Sequence, residues 1–376
     1  MSSQHPPPKE KPVHILVVGA GAIGCFYASR LHHKILTILR QPSKNIYVSL
    51  VCRSNYSIVA RSGVQMKTRT FGDYTFTPAA AYPSIPAAAS SSSAPKDGWD
   101  YIFVTTKALP DIVDDAAEIE PLVRKGPDGK SCIVLIQNGV GVEEPHRKRF
   151  PNNPLVSVVT IVSAEQISQG VVRQNRWTRT SLGPYSDGLG GRTAEGKELA
   201  RRGQACTDDV VDLLTRYGGI RDAESYDEIG MQQVRWHKVC INAANNPSSV
   251  LSGGRGSANM VMDPDLRLHL KGCMEEVFEA AEHVLGEPFP AKLAKPERIL
   301  TSTERNTDGR PSMLVDWIHG RPMELEVILG NPVRIARERG YEMKRLQTLY
   351  ALLKSAQKMR KESTEQDAKR QNGAKL

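Results

Sequence analysis

The sequence has no long hydrophobic run, no secretory signal and few aromatic residues. None of its apolar stretches approaches the roughly 20 residues that are needed to cross a bilayer. The first eleven residues are polar and proline-rich, which does not suit a signal peptide. Aromatic residues make up 6% of the 376, whereas the 40% hydrophobic and 24% charged residues are ordinary for a globular protein. We therefore expect a soluble, cytoplasmic protein with no membrane partner.

Cysteine is also sparse, with six residues at positions 25, 52, 132, 206, 240 and 273 and no C-x-x-C pair. Zinc sites and dithiol redox motifs usually need such closely spaced pairs. The sequence therefore predicts reduced, mostly buried thiols and no metal site.

Basic residues exceed acidic ones by 50 to 41, and the net charge of +9 favours anionic ligands. Part of this excess lies in residues 354–376, which contain seven lysines or arginines and three acids. We interpret that stretch as a solvated helix end followed by a flexible tail over 362–376. A nucleic-acid-binding arm is the alternative. Because no zinc-finger spacing or aromatic pattern accompanies the basic residues, no nucleic-acid partner is expected.

The first half of the chain alternates between buried strands and helices. Apolar runs that are typical of buried strands occur at 13–19, 46–52, 101–105 and 133–136. Helical spacing is found at 22–39, 110–124 and 207–217, and further strands are expected at 155–163 and 170–176. This alternation predicts an α/β fold with a doubly wound parallel sheet.

Two stretches of this half lack such patterns. The Ala-, Ser- and Pro-rich residues 78–98 are interpreted as a surface insertion that cannot bury enough apolar area to fold. The glycine-rich residues 183–203 are interpreted as a loop.

From about residue 226 the strand-like runs vanish and helical periodicity dominates. It predicts helices at 228–244, 265–284, 311–317 and 322–339. We therefore predict a disordered tail over 1–12, a Rossmann domain over 13–224 and an all-helical substrate and catalytic domain over 225–361, followed by the flexible tail.

A glycine motif follows the first predicted strand. Gly19, Gly21 and Gly24 form G-x-G-x-x-G, with Ala22 and Ile23 at the start of the helix. The first glycine permits a tight turn, the second lets the backbone approach a pyrophosphate, and the third allows close helix–strand packing. The helix N-terminus favours an anion, so this motif predicts a dinucleotide site.

The residues after the second strand indicate which dinucleotide is bound. NAD-selective sites usually have an acid there, whereas NADP-selective sites have a cation for the extra phosphate. The strand ends in Cys52-Arg53-Ser54-Asn55 and contains no acid. Arg53 has a planar fork that matches phosphate, and Ser54 and Asn55 can add hydrogen bonds. NADP is therefore the predicted cofactor, although Arg53 could also be an ordinary surface arginine.

A polar stripe lies on an otherwise apolar helix. At roughly 100° per residue, Asn242, Asn245 and Asn246 lie at about 40°, −20° and 80° from Lys238. Burying an ammonium group and several amides without partners costs several kcal/mol. The stripe therefore predicts a bound polar ligand. A solvent-facing stripe, or amides that cap the helix before Pro247, are the alternatives.

Two further polar positions lie downstream. Ser312 and Asp316 are four residues apart and share one helical face. Glu324 lies in the first turn predicted after Gly320-Arg321-Pro322, where an acid can also serve only to stabilise the helix dipole.

Taken together, these residues resemble the ketopantoate reductase (2-dehydropantoate 2-reductase) family over most of residues 13–350. The matching elements are the glycine motif, Cys52-Arg53-Ser54, Thr106-Lys107-Ala108, Gln137-Asn138-Gly139-Val140-Gly141, Trp236-x-Lys238 with Asn242 and Asn246-Pro247, Ser312-Met313-x-x-Asp316, and Arg321-x-x-Glu324. The longer link at 31–45, the 78–98 stretch and the basic tail depart from compact members of the family.

The resemblance implies an NADPH-binding Rossmann domain, a helical domain and an active site in the cleft, where 2-dehydropantoate is reduced to pantoate. It implies that Lys238 is the general acid and that Glu324 orients it. Asn138, Asn242, Asn246 and Ser312 would hold the 2-oxo acid, while Arg53, Lys107 and Asn138 would contact the cofactor beside the glycine motif. The same chemistry on another 2-oxo acid, or a catalytically idle paralogue that binds NADPH, are the alternatives.

The last three residues, Ala374-Lys375-Leu376, are a variant of the S-K-L peroxisomal address. A peroxisomal import receptor is therefore an alternative partner and the peroxisome an alternative location, although such short motifs also arise by chance. The sequence leaves the oligomeric state open, with a homodimer as one alternative.

Overall fold

The computed structural model describes residues 11–32, 45–126, 129–307 and 309–373. Most of the predicted N-terminal tail, most of the 31–45 link and the Ala374-Lys375-Leu376 end therefore lie outside the described residues. The described chain divides into two compact units. The first contains the residues up to Thr106, Asp115–Gln137 and Glu143–Met231; the second contains Lys107–Asp114, Asn138–Val142 and the residues from Gln232 onward. The boundary lies inside a helix rather than between residues 224 and 225, where it was predicted.

The first unit is built on a mixed sheet of ten strands among the described residues. They are β1 (Val13–Val18), β2 (Ile46–Val51), β3 (Val64–Thr68), β4 (Gly72–Phe76), β5 (Ala81–Tyr82), β6 (Tyr101–Val104), β7 (Cys132–Leu135), β8 (Leu155–Ser168), β9 (Val171–Pro184) and β10 (Ala223–Ser225). Their order is β4-β3-β9-β8-β7-β6-β1-β2-β5, and β10 pairs with β9. The neighbouring strands in the stretch β8-β7-β6-β1-β2-β5 of this order pair in parallel, as a doubly wound sheet requires. The antiparallel pairs β8–β9 and β3–β4 extend that sheet.

Helices cover both faces of the parallel strands. They are α1 (Ala22–Leu31), α2 (Tyr56–Ser62), α3 (Ile85–Ser90), α4 (Asp115–Ile119), α5 (Glu144–Arg149) and α6 (Ala194–Asp212), with a 3-10 turn at Glu120–Leu122 and a π-helical turn at Leu213–Tyr217. Ile15 and Val17 of β1 pack in the same core as residues of α1, whereas Leu16 and Val18 pack in a second core with residues of α4. This burial on both faces is the reason that the strand sequence is apolar without alternation.

The interpretation of residues 78–98 as an unfolded insertion was wrong. The stretch contains β5, which pairs with β2, and α3, whose N-cap residue Ser84 accepts a hydrogen bond from the Ala87 N–H at 3.3 Å. Tyr82 and Ala88 are buried in the second core. A few small apolar side chains are enough here because the segment packs on an existing core and does not have to form its own.

Other boundaries also differ from their predictions. Helix α6 begins inside the predicted loop 183–203, where the Thr193 side chain caps it by accepting from the Gly196 N–H at 3.0 Å. The predicted helix 110–124 is reduced to α4 and the 3-10 turn. The β3–β4 hairpin was not predicted.

The second unit is helical in its described residues. It contains most of α7 (Glu228–Leu251), then α8 (Ser257–Met262), α9 (Pro264–Leu285), α10 (Pro296–Thr303), α11 (Ser312–Ile318), a π-helical turn at Glu326–Gly330, α12 (Asn331–Glu338) and α13 (Lys344–Gly373). Helix α7 continues through Pro247, beyond its predicted end at residue 244. Helix α13 continues to Gly373, so the described part of the predicted flexible tail is helical. Every helix in the described ranges is too short or too polar to span a membrane.

Candidate functional site

The glycine motif forms a tight turn between β1 and α1. Gly19 has a φ of +108°, and a Cβ atom there would lie 2.9 Å from Thr105 Oγ1. A Cβ atom on Gly24 would lie 2.0 Å from the carbonyl oxygen of Gly19. Thr105, which was not predicted as part of this turn, donates its hydroxyl to that same carbonyl at 2.6 Å. The first and third glycines are therefore required by close packing, as the motif predicts.

The second glycine leaves room for a ligand. A Cβ atom on Gly21 would have no heavy atom within 4 Å, and Gly21 is the N-cap of α1 without a side-chain cap. The N–H groups of Ala22 and Ile23, in the first turn, have no acceptor within the helix. An open glycine before free N–H groups at a helix N-terminus fits the pyrophosphate of a dinucleotide.

The residues after β2 lie at the same edge of the sheet as the glycine turn, because β1 and β2 are parallel neighbours. The Arg53 side chain is 73% exposed and lies 3.8 Å from Glu118 Oε2. Asn55 is buried and donates from Nδ2 to the Ala20 carbonyl oxygen at 2.6 Å. Arg53 is thus available to an external anion. The Asn55 amide nitrogen instead ties α2 to the glycine turn, which sequence reasoning did not foresee.

Three predicted residues of the second unit form one hydrogen-bonded chain. Lys238 Nζ donates to Asn138 Oδ1 at 2.8 Å, and Asn138 Nδ2 donates to Glu324 Oε2 at 3.1 Å. The other oxygen of Glu324 accepts from the Ala108 N–H at 3.1 Å. Glu324 precedes the first helical residue of its segment, so it is held by these contacts and is not a first-turn acid.

The surroundings of this chain shift both ionisable groups toward neutrality. Burial and, to a smaller extent, the charge of Arg235 lower the pKa of Lys238, Glu324 partly opposes this change, and the resulting pKa is about 8. Burial also raises the pKa of Glu324, although its hydrogen bonds from Asn138 and Ala108 oppose that rise. An ammonium group whose pKa lies near neutrality gives up its proton more readily than an ordinary lysine, which suits a general acid.

Arg235 is a residue of this site that sequence reasoning missed. It is 1% exposed, and its NH1 donates to the carbonyl oxygen of Gly139 at 2.9 Å, next to Asn138. Its position three residues before Lys238 was the available signal, since residues three apart lie near each other on a helix.

Lys107, predicted to contact the cofactor, forms an ion pair with Asp316 of α11. Asp316 is buried and also accepts from Arg321 Nε at 3.1 Å. Ser312, one turn earlier on α11, is exposed. Asp316 thus holds the side chains of Lys107 and Arg321 in place, and all three residues belong to the same unit as Lys238.

The amides of the predicted polar stripe lie on α7 and differ in their burial. Asn242 is half-buried, and Asn245 and Asn246 are each 4% exposed. Asn245 Nδ2 donates to the Ile241 carbonyl oxygen at 3.1 Å. Asn245 Oδ1 and Asn246 Nδ2 are buried and have no hydrogen-bond partner among the described residues.

Comparison with known proteins matches nearly the whole chain. The family model described as "Ketopantoate reductase PanE/ApbA" matches residues 15–187, and the one described as "Ketopantoate reductase PanE/ApbA C terminal" matches residues 230–357. The Saccharomyces cerevisiae "Uncharacterized protein YDL144C" is 30% identical over 370 residues, which cover 93% of this chain and 94% of that protein. A Nostoc "2-dehydropantoate 2-reductase" is 24% identical over 343 residues, which cover 90% of this chain and 93% of that protein.

The Schizosaccharomyces pombe "Meiotically up-regulated gene 72 protein" is 29% identical over 350 residues. The match covers 92% of this chain but only 57% of that protein, so this chain spans little more than half the length of that relative.

Solved structures show the same architecture. The crystal structure of 2-dehydropantoate 2-reductase from Methylococcus capsulatus has a TM-score of 0.71 and 31% identity, covering 93% of this chain and 98% of that one. The ternary structure of D-mandelate dehydrogenase with NADH and anilino(oxo)acetate has a TM-score of 0.68 at 18% identity, covering 93% and 99%, and shares the fold. The chain therefore belongs to the ketopantoate reductase family, which is a family of oxidoreductases.

Proposed function

We propose that this protein catalyses the NADPH-dependent reduction of 2-dehydropantoate to pantoate. The observation that carries the proposal is the chain Lys238–Asn138–Glu324, in which a cation with a lowered pKa is held in a fixed position by an amide and a buried carboxylate. A catalytically idle paralogue would have no physical need to keep such a cation buried beside amides. The family membership supports the reaction type.

In this reaction the hydride that reaches the 2-oxo carbon would come from the nicotinamide of the bound cofactor. Lys238 Nζ stabilises the negative charge that develops on the ketone oxygen and then gives that oxygen its proton. Asn138 fixes the position of the amine, and Glu324 fixes Asn138. The product is a 2-hydroxy acid, and Lys238 is left neutral until it takes up another proton.

The polar residues of the second unit suit a 2-oxo acid substrate. The amides of Asn242 and Asn246 and the hydroxyl of Ser312 can hydrogen-bond a carboxylate or an oxo group, and the cations Lys107 and Arg321 pair with the two oxygens of Asp316. Amides, a hydroxyl and fixed cations are the usual partners of a carboxylate in proteins.

The test is to measure NADPH oxidation with a panel of 2-oxo acids, comparing the wild type with Lys238→Ala. We expect oxidation with 2-dehydropantoate and a kcat lower by about 10²–10⁴-fold in the variant, since that is what general-acid catalysis typically supplies. Lys271→Ala is the matched control, because Lys271 is an exposed lysine of the same unit. Retained kcat in Lys238→Ala would dismiss Lys238 as the proton donor. Oxidation with a different 2-oxo acid would change the substrate, and no oxidation with any would favour a binding protein.

We also propose that Arg53 selects NADPH over NADH by contacting the 2′-phosphate. Arg53 is exposed at the end of β2, and no acid follows this strand before α2 begins. Arg53→Ala should raise the KM for NADPH far more than the KM for NADH. The comparison is a steady-state titration of both cofactors against the exposed-surface control Arg61→Ala. Equal changes in the two KM values would rule the assignment out.

A further inference from the structure

Two cations lie close together on α7. Arg235 is buried, and Lys238 follows it by three residues, which places the two side chains near each other on the helix. Like charges at such a separation repel each other, and the repulsion is strongest where water is excluded. The pair is destabilising by itself, so other contacts must hold it in place.

Both cations bind the segment that carries Asn138. The Arg235 guanidinium donates to the Gly139 carbonyl oxygen at 2.9 Å, and Lys238 Nζ donates to Asn138 Oδ1 at 2.8 Å. Three residues advance a helix by about 4.5 Å, which is close to the spacing of about 3.8 Å between neighbouring Cα atoms. Two residues one turn apart on α7 therefore hold two consecutive residues of the segment, and a shift of the segment along the helix would break both bonds.

The two cations differ in how firmly they keep their protons. A guanidinium stays protonated throughout the accessible pH range, whereas an ammonium group loses its proton more readily when it is buried or lies beside another cation. Burial is the largest influence that lowers the pKa of Lys238, the charge of Arg235 adds to it, and Glu324 opposes both. Arg235 acts from α7 itself and Glu324 from the segment before the π-helical turn, while Asn138 is neutral. Of the two cations, Lys238 is therefore the one that gives up a proton.

We propose that Arg235 is a positioning residue of the reaction: its guanidinium holds the backbone of Asn138 and Gly139 against α7, and its permanent charge promotes the release of the proton from the amine one turn away. The inference rests on the proposed function where it assigns that proton to a substrate oxygen. The effect of Arg235 on the amine itself needs no substrate.

The kinetic test compares the pH dependence of kcat in the wild type and in Arg235→Gln, which keeps an amide N–H donor but removes the charge. Without the repulsion from Arg235 the amine keeps its proton to a higher pH, so the alkaline limb of the profile should move upward by at least about half a pH unit. At neutral pH kcat should fall by at least about threefold, because the acid is weaker and Asn138 is held less firmly.

Arg147→Gln is the matched control, because Arg147 is also an arginine that binds backbone carbonyl groups, but it belongs to the first unit. Its guanidinium donates to the carbonyl oxygens of Phe150, Pro151, Asn153 and Tyr185. The free energy of unfolding should fall in both variants, since each loses hydrogen bonds, but only Arg235→Gln should move the alkaline limb. Equal movement in both variants, or no movement in Arg235→Gln, would assign a purely structural role to Arg235.

Chemical rescue of Arg235→Ala separates the charge from the hydrogen bond, and it decides the matter if Arg235→Gln does not fold. Added guanidinium can replace the lost group, whereas urea has a similar shape and similar N–H donors but no charge. At equal, non-denaturing concentrations and matched ionic strength, guanidinium should raise kcat by at least about threefold and urea should not. Equal rescue by urea would overturn the proposed role of the charge.

A labelling measurement separates this inference from the proposed function. Acetic anhydride reacts with the neutral form of an amine, so the pH dependence of labelling at Lys238 reports the acidity of that amine without any substrate. The midpoint should lie near pH 8 in the wild type and higher in Arg235→Gln, with the exposed Lys271 as the reference lysine in each sample. A higher midpoint in the variant supports the inference even if no 2-oxo acid is reduced. Equal midpoints overturn it, even if 2-dehydropantoate is reduced as proposed.

Discussion

Asn138 accepts a hydrogen bond from Lys238 and donates one to Glu324, so both ends of its carboxamide are committed. An amide can make both bonds at once because its oxygen only accepts and its nitrogen only donates. The geometry of the amine is thus fixed by a neutral residue, and the carboxylate acts through that residue. An amide does not readily carry a proton, so the proposed reaction requires Lys238 to be recharged by another route after each turnover.

The pKa of Lys238 leads to a prediction for the pH dependence of the reaction. The proton donor is present below a pKa of about 8 and is lost as the pH rises through that value. We therefore expect kcat for reduction to fall by about tenfold per pH unit on the alkaline side. The measurement is a pH–rate profile at saturating cofactor and substrate.

Lys238→Arg is the control for this profile, because the guanidinium stays protonated throughout the accessible range. Any residual activity of that variant should lack the alkaline limb. A wild-type profile that is flat from neutral pH up to the ordinary pKa of lysine would contradict the assignment of Lys238.

The segment that carries Asn138 is hydrogen-bonded to the π-helical turn that follows Glu324 and to the helix after that turn. The Val140 N–H donates to the Val327 carbonyl oxygen at 2.9 Å, and Asn331 Nδ2 donates to the Val140 carbonyl oxygen at 2.8 Å. The turn is anchored in its own unit by the buried Glu326, which accepts from Arg334 at 2.9 Å and from Tyr350 and Lys354. These contacts hold Asn138 and Glu324 in register with each other.

At Gly139 the backbone of this segment packs closely against Val327 of the π-helical turn. Its φ is +92°, and a Cβ atom there would lie 2.4 Å from Val327 Cβ and from the Val327 carbonyl oxygen. Gly139→Ala should lower the free energy of unfolding by at least about 1–3 kcal/mol, because it adds a steric clash to a strained backbone. It should also lower kcat, since Asn138 is displaced.

Gly340→Ala is the control, because it introduces the same backbone strain as Gly139→Ala without a steric clash. Gly340 has a φ of +85°, and a Cβ atom there would have no heavy atom within 4 Å. Thermal unfolding and kcat of the two variants are compared, and Gly139→Ala should be affected more in both. Equal stability losses with unchanged kcat would show that the approach of Gly139 to Val327 does not position the site.

The sequence predicted those elements whose pattern is strong on its own. The apolar runs of β1, β2, β6 and β7 and the polar stripe of α7 were identified because burial dictates both patterns. The hairpin β3–β4 was missed because β4 is short and mostly exposed. The start of helix α6 was predicted too far along the chain because the first half of the helix is polar and contains glycine. Only the Thr193 cap marked its start.

For the candidate site, the resemblance indicated that Glu324 orients Lys238, but it did not indicate that Asn138 joins the two. The resemblance indicated Lys238, Asn138 and Glu324, yet 100 positions separate the first two and 186 separate Asn138 from Glu324. A local pattern contains no information on contacts at such separations. The same limit explains why the Lys107–Asp316 pair and the Asn55 bond to the glycine turn were not foreseen.

At the scale of the whole molecule, the net charge of +9 should attract the anionic cofactor and substrate. We expect kcat/KM for NADPH to fall several-fold when the ionic strength is raised from about 20 mM to about 300 mM, because salt screens such long-range attraction. Steady-state kinetics over this range is the measurement, with kcat as the internal control that should stay constant. An unchanged kcat/KM would mean that the overall charge plays no part in cofactor capture.

The division of the chain into two units limits which fragments of it can contain the complete Lys238–Asn138–Glu324 chain. The second unit is assembled from three separate pieces of sequence, because Lys107–Asp114 and Asn138–Val142 group with the residues from Gln232 onward. A fragment that starts at Gln232 would contain the amine and the carboxylate but would lack the amide that joins them. The helical unit is therefore not a portable module, and a chimera made with one crossover near residue 232 would take Asn138 from one parent and Lys238 and Glu324 from the other.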